Sequence, residues 1–107
     1  YFRSGIASFL GFQKMVQSKI ILENDRVKIV EMRVAPGEKM PMHTHGAYVA
    51  YTMNPAKVRF ILPDGTTREQ DFEKGSCRFS PGVTHALENI GSTEIFNLDI
   101  ELKEPKA

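Results

Sequence analysis

Turn signals recur about every 8 to 12 residues from Ser18 onward, and the segments between them are short, alternating and rich in β-branched or aromatic residues. No interval leaves room for a long helix, so the chain is predicted to be all-β, a small β-barrel or jelly roll. Pro36-Gly37, Asn54-Pro55, Lys74-Gly75, Pro81-Gly82 and Gly91-Ser92 mark turns, and Pro63-Asp64-Gly65 closes a hairpin between Lys57–Leu62 and the polar strand Thr66–Phe72. In Ile95–Lys103, Phe96, Leu98, Ile100 and Leu102 alternate with Asn97, Asp99 and Glu101, which predicts a closing strand with its apolar residues on the buried face. Val27 and Ile29 fall out of step with Met32 and Val34, which predicts a β-bulge at Val30 and Glu31. Ahead of the barrel, Ile6, Phe9, Leu10 and Met15 suggest a short helix.

The 107 residues make one domain, expected over residues 18–107, with residues 1–17 an N-terminal extension that is either a short helix or a tag remnant. With 14 Lys and Arg against 13 Asp and Glu there is no basic stripe to hold nucleic acid or an anionic membrane, and no apolar run approaches the ~18 residues of a spanning helix. A single cysteine, Cys77, cannot form an internal disulfide, so a reducing, cytoplasmic location is expected. Because the first residue is Tyr1, a removed signal peptide is also compatible with the sequence.

The chain has three histidines, His43, His45 and His85. The first two are separated by one residue in a stretch of strand character, and side chains two apart on a strand share a face. His85 follows the Pro81-Gly82 turn and opens a strand, Thr84–Ile90, that an antiparallel pairing would bring beside them. Three imidazoles facing one point predict one divalent transition metal per chain; ligand type alone admits iron, zinc, manganese, nickel or copper.

Gly37-Glu-Lys-Met-Pro-Met-His43-Thr-His45 matches the start of the first cupin motif, G-x5-H-x-H. Gly75-Ser-Cys-Arg-Phe-Ser-Pro81-Gly82-Val-Thr-His85-Ala-Leu-Glu-Asn89 resembles the second, G-x5-P-x-G-x2-H-x3-N, with one residue missing between proline and glycine. The resemblance runs from about Lys19 to Lys103 and looks closest to short single-domain cupins, some of which carry a label connected with β-alanine degradation. It implies a double-stranded β-helix, His43, His45 and His85 on the metal-ligand positions near one end of the barrel, and pairing of two chains into a homodimer.

The sequence departs from the family where cupins place a metal-binding Glu after the second histidine: Val49, Ala50 or Tyr48 stands there, depending on the alignment, and none is a carboxylate. An ion held by three neutral imidazoles keeps its double charge and favours small anionic ligands. Within the cupins such sites resemble those of thiol dioxygenases and of diketone- or ring-cleaving dioxygenases, which implies Fe(II)-dependent dioxygenation of a small, anionic substrate. Isomerisation, cyclisation or decarboxylation at zinc or nickel, and a non-catalytic small-molecule-binding barrel, are the alternatives. Tyr48 and Tyr51 are the candidate catalytic residues, Tyr48 as a proton donor beside the metal. Of Arg33, Arg59 and Arg78, any that faces inward could anchor a substrate carboxylate, and the sequence does not distinguish them.

Overall fold

The computed structural model describes residues 16–104. The short helix expected around Ile6–Met15 therefore lies outside the described residues. Nine strands follow one another: β1 Val16–Glu23, β2 Val27–Val34, β3 Lys39–His45, β4 Tyr48–Thr52, β5 Ala56–Ile61, β6 Thr67–Phe72, β7 Cys77–Ser80, β8 Val83–Asn89 and β9 Ile95–Leu102. They form two antiparallel sheets, β1-β2-β9-β4-β7 and β3-β8-β5-β6, and the chain repeatedly crosses from one to the other. This is the predicted jelly roll. Among the described residues no helix is long and apolar enough to cross a membrane.

The β5–β6 hairpin forms where Pro63-Asp64-Gly65 requires it. Gly65 takes φ 89°, its amide donates to the Leu62 carbonyl, and the Asp64 carboxylate accepts from the Thr66 amide and hydroxyl.

Between the sheets the interior is graded. At one end Met32, Val34, Ala56, Val58, Phe60, Leu87 and Ile95 pack into a single apolar cluster. Asn89, 1% exposed, staples that end. Its side-chain amide donates to the Val34 and Thr93 carbonyls at 2.9 and 2.8 Å, and its carbonyl oxygen accepts from the Gly91 amide at 3.0 Å. Along the same strands the register leads away from this cluster to His85 on β8, Asp99 and Glu101 on β9, and Tyr48 on β4.

Two local expectations are corrected. The closing strand exists, but its faces are reversed. Ile95, Asn97 and Asp99 are the buried residues, while Phe96, Leu98 and Ile100 are half-buried on the outer face and Leu102 is exposed. A period of two fixes which residues share a face, not which face is inside. The bulge does not fall in β2, which pairs with β9 in unbroken register from Val27 to Val34; the shift lies in β1 between Ile20 and Leu22, opposite Val30 and Ile29.

Candidate metal centre

A bulge in β3 sets the site. Met40 pairs with Leu87 but His43 pairs with His85, so β3 carries one residue more than β8 over this stretch. The extra residue falls at Pro41-Met42, where a proline lacking an amide proton removes no ladder bond that a bulge would have kept. As a result Met40 packs on the apolar cluster and His43, three residues on, also turns inward. Met42 is 45% exposed. No shift separates His43 from His45, so the alternation expected from sequence holds, and the direct pairing of His43 with His85 brings the third imidazole alongside.

The three rings meet edge to face, with centroids 4.7 Å (His43–His45), 4.8 Å (His43–His85) and 5.7 Å (His45–His85) apart. One ligand nitrogen of each lies within 4.8 Å of the other two, so a common point exists within about 2.8 Å of all three, against ~2.0–2.1 Å for a metal–imidazole bond. Small ring rotations close that gap. His43 Nδ1 donates to the Pro41 carbonyl at 2.7 Å; since a carbonyl only accepts, Nδ1 carries a proton and Nε2 is the nitrogen left to face a metal. A Glu101 carboxylate oxygen lies 3.8 Å from His45 Nδ1. His85 stacks on Phe60 with centroids 5.2 Å apart.

Burial, reinforced by the neighbouring imidazoles, depresses the His85 pKa to about 4. It lowers that of His45 as well, with His43 adding to the effect and Glu101 opposing it. Both rings are neutral near pH 7 and present lone pairs. Donor type, tautomer and charge state all fit a divalent transition metal, and among the described residues no carboxylate joins the three histidines within ligand reach.

Tyr48 and Tyr51 part company. Tyr48 is 5% exposed with its ring 4.5 Å from that of His45, whereas Tyr51, 38% exposed, lies on the outer face of β4. Three positions apart on a regular strand means opposite faces, so Tyr51 cannot join a site that holds Tyr48. Burial raises the Tyr48 pKa, so its hydroxyl stays protonated.

Four residues of the site were missed in the sequence or left unassigned: Asn97, Asp99 and Glu101, hidden by the reversed face of β9, and Arg78. Asp99 is 6% exposed and lines the same cavity. Burial raises its pKa to about 6, against the opposing pull of Arg78. Arg33 and Arg59 are committed elsewhere, to Glu31 and Glu94 and to Glu69 and Glu88 respectively, while Arg78 on β7 points into the cavity. The signal available in sequence was the polar run of alternates on β9, which a strand lining a polar site turns inward.

No family model matches the chain, and no curated protein matches it. Solved structures do. The chain is similar to a cupin domain from Bordetella pertussis at 28% identity, covering 83% of this chain and 94% of that one, with a TM-score of 0.77. A cupin superfamily protein from Desulfitobacterium hafniense is 20% identical over 83% of this chain and 78% of its own, with a TM-score of 0.62. The polyketide cyclase RemF from Streptomyces resistomycificus is 23% identical over 85% of this chain and 67% of its own, with a TM-score of 0.64. The strand order, the inward histidines and these neighbours together establish that the chain has the double-stranded β-helix fold of cupin-domain proteins.

Proposed function

We propose that this protein is a mononuclear metalloenzyme acting on a small organic anion, with His43, His45 and His85 holding the ion. The observation that carries this reading is the convergence of three imidazoles, one holding a proton on Nδ1 against the Pro41 carbonyl, on one enclosed point. Bound there, a divalent ion supplies Lewis acidity, and iron in addition the redox chemistry of an oxygenase. The chain's own groups do the rest. Glu101 lies beside His45, the Tyr48 hydroxyl offers a proton from the wall of the cavity, and the Asp99 carboxyl, titrating near pH 6, can take up or release one there.

Within this reading the reaction class is Fe(II)-dependent oxygenation, favoured by a ligand set that leaves the ion its full charge. A non-redox isomerase, cyclase or decarboxylase would use the same three nitrogens with zinc or nickel. Elemental analysis decides between them, on protein expressed without added nickel or zinc and purified without a metal column. About one ion per chain is expected in the parent and under a tenth of that in His43→Ala. Iron as the retained metal supports oxygenation, and zinc contradicts it. Metal content unchanged by the substitution would refute the site.

A further inference from the structure

The interior cavity that the three imidazoles line together with Met32, Tyr48, Phe60, Arg78 and Asp99 is about 20 Å³, room for one ion or one water. An organic substrate must therefore lie in an adjoining cleft, and two of these reach the histidines. One, of about 490 Å³, touches His43 and His45. Its Lys19 and Lys28 are balanced by Asp99 and Glu101, so it offers no net attraction to an anion. The other, of about 420 Å³, opens beside Tyr48 and His85 and carries Arg68 and Arg78 with no carboxylate in its lining; Phe60, Phe79 and Leu62 supply apolar wall.

Neither arginine of the second cleft forms an ion pair with a described carboxylate, in contrast to Arg33 and Arg59. Arg78 lies 4.0 Å above the Phe72 ring, which holds the guanidinium plane without neutralising it. It is half-buried and lines both the cleft and the imidazole cavity. A planar, oriented cation with no carboxylate in ion-pair contact, at the junction of an apolar cleft and a candidate metal centre, is a seat for a carboxylate, with buried Asp99 the nearest competing charge.

Resting on the metal reading above, we propose that the cleft bearing Arg68 and Arg78 is the substrate entrance and that Arg78 anchors the substrate's carboxylate, the substrate being a carboxylic acid with an apolar body of about ring size. Arg68, exposed at the mouth, steers the anion inward and contributes less to its retention.

Calorimetric titration with benzoate, and with benzyl alcohol as the neutral counterpart, tests this on the purified protein. The parent is expected to bind benzoate and to bind benzyl alcohol at least about tenfold more weakly. Arg78→Met should weaken benzoate by at least about tenfold, Arg78→Lys by several-fold, and Arg68→Met by two- to threefold with a shallower dependence on salt. Asp99→Asn, which removes the buried negative charge from the same cavity, should strengthen it.

Circular dichroism confirms that each variant is folded; if Arg78→Met does not fold, Arg78→Lys carries the test. No benzoate binding by the parent at millimolar concentration, equal binding of the alcohol, or an affinity unaltered by the Arg78 substitutions would overturn the proposal. Metal analysis of the same samples separates it from the reading it rests on. A parent that takes up no metal yet binds benzoate through Arg78 refutes the metal centre alone; one that keeps its metal while Arg78 proves immaterial refutes the anchor alone.

Discussion

Asp99 is the residue on which folding and function pull in opposite directions. Its carboxyl has a pKa raised from 3.8 to about 6, so the folded chain holds this proton more tightly than the unfolded chain does. The resulting stability is fully present below about pH 4 and is lost as pH rises through 6. His85 has the opposite sign. Its pKa is depressed from 6.5 to about 4, so its contribution is present above pH 6.5 and lost on acidification towards 4, with His45 shifted in the same direction. The two windows overlap and partly cancel. In metal-free protein, Asp99→Asn is expected to raise stability at pH 7 by about 2–3 kcal/mol, since one pKa unit corresponds to ~1.4 kcal/mol. It should also steepen the loss of stability between about pH 6.5 and 4, because the histidines are then uncompensated. Urea denaturation at pH 7 and pH 5 measures both, and a variant less stable than the parent at pH 7 would contradict the assignment. The histidines were legible in the sequence because spacing alone puts His43 and His45 on one face. Asp99 was not, because alternation is symmetric between inside and outside.

At the scale of single elements, irregularities decide what faces the cavity. The bulge at Pro41-Met42 turns Met40 and His43 to the same side, and no periodicity in β3 announces it, since Met40, Met42 and Thr44 read as one regular face in the sequence. The turn into β8 was better marked. Pro81-Gly82 is visible in the sequence, and Gly82 takes φ 146°, a conformation L side chains rarely adopt. A Cβ there would also stand 3.2 Å from the His45 carbonyl oxygen. Gly82→Ala should therefore displace the end of β3 as well as strain the turn. Expected are a loss of about 1–3 kcal/mol in thermal denaturation and weaker metal retention. Stability and metal content both equal to the parent's would show that the contact does not constrain His45.

Over the whole molecule, the two sheets separate a stabilising end from a chemical one: apolar packing and the Asn89 staple at one, imidazoles and ionisable groups at the other. The architecture was readable from turn spacing, and the reversed face of β9 has a consequence at this scale. Leu98 and Ile100 join Ile29 and Val49 on the outside of the β1-β2-β9-β4-β7 sheet, with exposed Leu22, Tyr51 and Leu102 around them. Glu31 and Arg33 flank this apolar stretch on the same face, and we propose that two copies pair through it. Light scattering is expected to give the mass of a dimer for the parent and of a monomer for Leu98→Glu, and a monomeric parent would contradict the pairing.

The convergence of the three imidazoles on one ion is tested most directly by an anomalous difference map from crystals of the zinc-loaded protein. Expected is a single peak per chain, ~2.0–2.1 Å from one nitrogen each of His43, His45 and His85, with His43 binding through Nε2. A map with the peak elsewhere, or with the three rings turned apart and no ion between them, would contradict it.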